Sequence, residues 1–196
     1  MRRADLCAPL TMPRGPALAN RMVLAPLTNQ QSHADGTLSD DEYRWLMMRA
    51  EGGFGLTFTC AAHVQAIGQG FPGQLGCFSD AHLAGLRRIA DGIRARGSVS
   101  SLQLHHGGSR AVPGIVGRPV SVSDDAESGA RGLTLEEVEQ VRDDFITAAA
   151  AALDLPLEPA WRPAVEANLA VTLRHAALVA AFPLGDEAEP APVFRA

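Results

Sequence analysis

Over roughly the first 148 residues, short β-branched or apolar runs alternate with stretches whose apolar residues recur at helical spacing. Residues 20–27, NRMVLAPL, predict a buried strand. Ser39 and Glu42 predict a capping box for a helix reaching about Ala50, and Gly52-Gly53 end it. GLTFTCAAHV (55–64) predicts a second strand. Ser79-Asp80 open a helix that carries Leu83, Leu86, Ile89, Ala90 and Ile93 on one face, with Gly97 as its stop. SVSSLQL (98–104) predicts a third strand, followed by a loop rich in Gly and Pro. Thr134 and Glu137 then cap a helix that turns Val138, Val141, Phe145 and Ile146 inward.

No hairpin signal separates the strands, so the order predicts right-handed crossovers and a parallel sheet. A closed eight-stranded barrel takes about 250 residues, and about 150 here supply only three βα units. The predicted fold is therefore α/β: an incomplete (β/α)8 barrel over residues 1–147, then an all-α segment with an extended tail over 148–196. From Leu153 on there is no strand signal. Pro163 stands where an N1 proline would, opening a helix to about Phe182. Val165, Leu169, Leu173, Ala176 and Ala180 form one apolar stripe and Val171, Leu178, Val179 and Phe182 a second, so that helix expects to be covered. The last residues, LGDEAEPAPVFRA, are too acidic and Pro-rich for regular structure.

Composition narrows the chemistry. A net charge of −5 argues against a nucleic-acid partner, whose phosphates need clustered cations. No apolar run approaches the roughly 20 residues of a membrane span. The start, MRRADLCAPLTMPRG, has no apolar core of a signal peptide, so a cytoplasmic protein is expected. Cys7, Cys60 and Cys77 are odd in number and form no C-x-x-C, which reads as reduced thiols with no metal site. All 17 basic residues are Arg. A P-loop, a Schiff-base site and the serine–lysine centre of amidase-signature enzymes each need a Lys, so none is complete within this chain.

Three motifs carry candidate chemistry. GQGFPG (68–73) matches a dinucleotide fingerprint literally, but Pro72 interrupts it and the next helix starts near Asp80, so it reads as a loop. His105 and His106 are adjacent at a strand end and point opposite ways, so they do not share a metal easily. At least one reads as a packed or capping histidine. Gln103 ends the third strand, where parallel barrels carry their chemistry. Its amide offers a donor and an acceptor side by side, which suits either the pyrimidine edge of a flavin or neighbouring backbone.

NRMVLAPLT, DGTLSDDEYRWLMMRAEGGFGLTFTCAAHV, GQGFPGQLGCFSD, LQLHHGGSRA and LTLEEVEQVRDDFITAA together resemble the old yellow enzyme family of FMN-dependent NAD(P)H oxidoreductases and ene-reductases, over about residues 5–150. The resemblance implies that Pro26, Leu27 and Thr28 lie against the isoalloxazine, that Ala61 ends the second strand beside it, and that Gln103 is the flavin-ring amide. Leu27 departs from the family's more usual Met. FMN is the implied cofactor and NAD(P)H the implied reductant. The chain leaves the family pattern about ten residues before the substrate-orienting pair beyond the fourth strand. The flavin-contacting Arg region and the phosphate site are absent too. No catalytic residue is assigned, and His105 and His106 belong to the third-strand motif rather than replacing that pair. A chain of this kind is expected to retain FMN poorly, to be weakly active or inactive alone, and to self-associate through its exposed sheet edge.

From residue 148, AAAAALDLPLEPAWRPAVEANLAVTLRHAALVAAFPLGDEAEPAPVFRA resembles the small, non-catalytic subunit of the amidase that hydrolyses carboxybiuret. That implies an alternative role: a subunit whose helices and tail wrap a separate amidase catalytic chain. A third reading is a poorly folded product without activity. The chain thus reads as two genes joined inside an alanine-rich helix, by fusion, deletion or misassembly. Alanine is the best helix former, so either history can share that segment.

Overall fold

The computed structural model describes residues 3–13 and 15–152, together with Ala160, Pro163, Ala164, Ala167, Asn168 and Val171. The chain divides into two compact units, Met1–Leu155 and Pro156–Ala196. The first contains, in order, α1 (Arg3–Leu6), β1 (Val23–Leu24), α2 (Asp40–Glu51), β2 (Leu56–His63), α3 (Leu83–Arg94), β3 (Val99–His105), α4 (Pro113–Val116), β4 (Val120–Ser121), β5 (Arg131–Gly132) and α5 (Leu135–Ala152).

β1, β2 and β3 form one sheet in that order, and both pairings are parallel. This is the arrangement expected of consecutive βα units, an incomplete barrel. One helical layer covers it: Leu46, Met47 and Ala50 of α2 and Ile89 and Ile93 of α3 pack with Cys60, Ala62 and Leu75. Burying each of these larger apolar side chains contributes about 1.5–3 kcal/mol.

The first strand is shorter than its apolar run predicts. Only Val23 and Leu24 pair, with Leu56 and Thr57. Asn20 satisfies backbone that a longer ladder would use: its Oδ1 accepts from Met22 N at 2.9 Å and Gly55 N at 3.1 Å, and its Nδ2 donates to Gly53 O at 2.7 Å. At the other end Pro26 has no N–H to offer a ladder.

The caps differ in how fully they form. On α5 the box is reciprocal: Glu137 N donates to Thr134 Oγ1 at 3.2 Å and Thr134 N to Glu137 Oε2 at 2.9 Å. On α2 only half is made. Glu42 N donates to Ser39 Oγ at 3.1 Å, but the Glu42 carboxylate turns into the core, where it accepts from the Ser32 hydroxyl and the Cys60 thiol. Glu42 is wholly buried, so those two donors replace its water.

α5 runs unbroken through residues 147 and 148 to Ala152. β4 and β5, a two-stranded parallel pair inside the 107–134 loop, have no counterpart in the sequence pattern. In the second unit Pro163, Ala164, Ala167, Asn168 and Val171 are helical, and Asn168 Nδ2 donates to Ala164 O at 2.8 Å. The other positions of the predicted Pro163–Phe182 helix and the acidic tail lie outside the described residues.

Candidate cofactor site

The sheet's carboxyl end brings two of the predicted flavin residues together. Ala61 and Gln103 are direct partners in the β2–β3 ladder. Their neighbours Cys60, Ala62 and Leu102 pack into the helical layer, so alternation turns Ala61 and Gln103 to the opposite face. Pro26, Leu27 and Thr28 begin two residues beyond the Leu24–Thr57 pair, at the same end of the sheet. Leu27 is 49% exposed, an unusual state for a large apolar side chain beside a sheet.

Gln103 is half-buried, and among the described residues its side-chain amide makes no hydrogen bond. Its backbone N–H donates to Thr59 Oγ1 at 3.3 Å. Between Phe58 and Ala61 the register shifts: Phe58 pairs with Ser101 and Ala61 with Gln103. Thr59 and Cys60 therefore stand opposite Leu102 alone, a β-bulge immediately before the pair.

The two adjacent histidines take separate partners. Gln74 is fully buried and donates from Nε2 to Ala61 O at 3.0 Å and to His105 Nδ1 at 3.1 Å, while its Oε1 accepts from Gly70 N at 2.7 Å. His105 is thereby assigned its proton on Nε2. His106 Nδ1 accepts from Gly108 N at 3.0 Å, so its Nε2–H donates to Gln65 Oε1 at 3.1 Å. His63 donates from Nδ1 to Gln65 O at 2.9 Å, and its Nε2 is buried without a partner. Burial holds all three imidazoles below the ordinary histidine range. Among the described residues no group of three or more His, Cys, Asp or Glu is placed to hold a metal.

The GQGFPG stretch is a packing loop. A Cβ on Gly68 would lie 2.6 Å from the His106 ring, and one on Gly73 would lie 2.6 Å from Gln30 O at a φ of +64°. These glycines admit close neighbours. Sequence reasoning missed Thr59 and Gln74. Gln74 directly follows that loop and Thr59 lies inside a strand, and neither position carries a local signal for its long-range bond.

Residues 5–156 match the family described as NADH:flavin oxidoreductase / NADH oxidase. Residues 145–194 match a second family, 1-carboxybiuret hydrolase subunit AtzG-like, so the two matches overlap at the end of α5 and just beyond it. Among curated relatives, a probable NADH-dependent flavin oxidoreductase of Bacillus subtilis is 37% identical over 142 residues, covering 69% of this chain and 38% of that protein. An NADPH dehydrogenase of Listeria welshimeri is 33% identical over 135 residues, covering 67% of this chain and 40% of its own. Among solved structures, a 2-naphthoyl-CoA reductase complex superposes with a TM-score of 0.71 at 27% identity, over 77% of this chain and 26% of that one. An old yellow enzyme homologue from Zymomonas mobilis superposes with a TM-score of 0.68 at 26% identity, over 76% of this chain and 45% of that one. The chain thus spans less than half the length of these relatives, and through residues 5–156 it belongs to the NADH:flavin oxidoreductase family of old yellow enzyme type.

Proposed function

We propose that residues 5–156 form part of an FMN site of an NAD(P)H-dependent oxidoreductase. The observation that carries this is the Ala61–Gln103 pair, with the Gln103 amide free of other partners among the described residues. That amide presents a donor and an acceptor side by side, matching the alternating polar edge of the flavin pyrimidine ring. Ala61 adds only a methyl group beside it, and Pro26, Leu27 and Thr28 follow β1 at the same end. These residues fit the flat ring. FMN, when bound, supplies the hydride chemistry between nicotinamide and an acceptor.

The site is partial in this reading. The family match ends with the third βα unit, and the chain spans 38% of the Bacillus relative. One chain is therefore expected to hold FMN weakly and to turn over NAD(P)H slowly or not at all. Val23 and Leu27, 45% and 49% exposed at the first strand, favour self-association. The test mixes the full chain with FMN without oxygen, adds NADH or NADPH, and follows loss of the flavin's visible absorbance. Bleaching faster than that of free FMN, and lost in Gln103→Leu, supports the reading. A rate equal to that of free FMN, from folded protein that also carries no FMN through gel filtration, contradicts it.

A second reading rests on the match of residues 145–194 to the carboxybiuret hydrolase subunit family. Here residues 148–196 form a non-catalytic subunit that binds a separate amidase catalytic chain. Co-expression with the catalytic chain of a carboxybiuret hydrolase tests it: co-elution through gel filtration supports the reading, and independent elution contradicts it.

A further inference from the structure

We infer that Thr59 is a positioning residue for the proposed flavin pair, acting through the bulge that precedes it; this rests on the FMN reading above. The register states the problem. Counting on from the Phe58–Ser101 pair without an extra residue, Cys60 would stand opposite Gln103 and Ala61 opposite Leu104. A slip of one residue exchanges the two faces of a strand. The cofactor face would then present the Cys60 thiol, and Ala61 would turn into the helical layer. The bulge corrects this by setting Thr59 and Cys60 together against Leu102.

Bulges are rare in parallel ladders, and the extra residue locally disrupts the hydrogen bonding. Thr59 repairs the disruption with its own side chain. Its hydroxyl donates to Cys60 O at 2.7 Å and accepts the backbone N–H of Gln103 at 3.3 Å. One oxygen thus bridges the bulged residue of β2 to the residue of β3 whose amide is proposed to meet the ring. Thr59 is only 4% exposed, so water is poorly placed to take over either bond. The thiol on the other side of the bulge is held as well, since Cys60 donates to the buried Glu42 carboxylate. Thr59 does not itself reach the cofactor face in this account. Its effect is on the register and tilt of Gln103.

Two variants of the full chain separate this from a general packing role. Thr59→Val keeps the shape and removes the hydroxyl, and Thr59→Ser keeps the hydroxyl and removes a methyl. Amide hydrogen exchange is read without flavin, and FMN affinity is read by fluorescence quenching. In Thr59→Val the Gln103 amide is expected to exchange about three- to tenfold faster, the equivalent of one net hydrogen bond. FMN is expected to bind weaker by a similar factor, and Thr59→Ser is expected to stay close to the parent in both. Unchanged Gln103 exchange in Thr59→Val overturns the inference. So does an equal loss in both variants spread evenly over β2 and β3, which marks packing alone. If the parent chain binds no FMN, the flavin reading falls, and Gln103 exchange still decides whether Thr59 sets the register.

Discussion

Gln65 Nε2 donates to Asp144 Oδ2 at 2.5 Å across 79 residues of sequence, joining the exit of β2 to the middle of α5. Asp144 also accepts from Gln140 Nε2 at 2.9 Å, and Gln65 Oε1 receives His106, so one side chain ties the exits of β2 and β3 to the last helix. Asp144→Ala is expected to destabilise the first unit by about 1.5–3 kcal/mol, the usual cost of losing a hydrogen bond to a charged group. In urea denaturation followed by circular dichroism, the double variant with Gln65→Ala should lose less than the sum of the two single losses, because the pair shares one interaction while Gln65 also holds His106. Additive losses would show that the bond contributes nothing.

Acid should act on the start of α5. The Glu137 carboxyl is pulled down to about 2, chiefly by hydrogen bonding to the Arg131 guanidinium and then by the Thr134 backbone N–H. Arg131 makes two bonds to it, at 2.7 and 2.5 Å. A carboxyl depressed in the folded state stabilises above its unfolded value and loses that contribution as pH falls toward the folded one. The stability gap between the parent and Glu137→Gln should therefore be constant above about pH 4.5 and shrink from there toward pH 2. A gap that does not change with pH across this window would remove Arg131–Glu137 from the account.

The glycines of the 68–73 loop should tolerate no side chain. In Gly68→Ala the new methyl meets the His106 ring, which is pinned at both nitrogens. A loss of about 1–3 kcal/mol is expected, the range for overpacking at a close contact. Thermal unfolding reads the loss. A neutral substitution would mean that the loop does not seat on β3 as described.

The thiols should divide by burial. Cys7 is exposed and Cys60 buried, and burial pushes the Cys77 thiol up to about 12. Native protein treated with a chromogenic disulfide reagent at neutral pH should release one equivalent promptly and the remainder only in denaturant. Prompt release of all three would contradict the packing of β2 under α2 and α3.

The elements that were legible in the sequence are those fixed by local pattern. The second strand, expected over 55–64, forms over Leu56–His63, and the helix capped by Ser39 forms over Asp40–Glu51. The strand depends on its apolar, β-branched run and the helix on a cap within four residues. Gln103 was legible as a site candidate because strand ends in parallel barrels carry polar work. Glu42 was not legible as a core residue. A glutamate three positions after a cap reads as a surface box, and its burial depends on Ser32 and Cys60, which lie 10 and 18 residues away. The bulge escaped for a similar reason. Thr59, Cys60, Ala61 and Ala62 offer no polar–apolar alternation, so nothing in the run marks where the register slips. β4 and β5 are two residues each, too short for any period to show.

The central claim is that Ala61 and Gln103 form the ring-facing part of an FMN site, and retained flavin tests it most directly. The purified chain is mixed with excess FMN, passed through gel filtration, and its protein peak is read for visible flavin absorbance beside Gln103→Leu. The account predicts substoichiometric but measurable flavin in the parent peak and none in the variant. Folded parent protein that elutes without flavin, or a variant that retains as much, would contradict it.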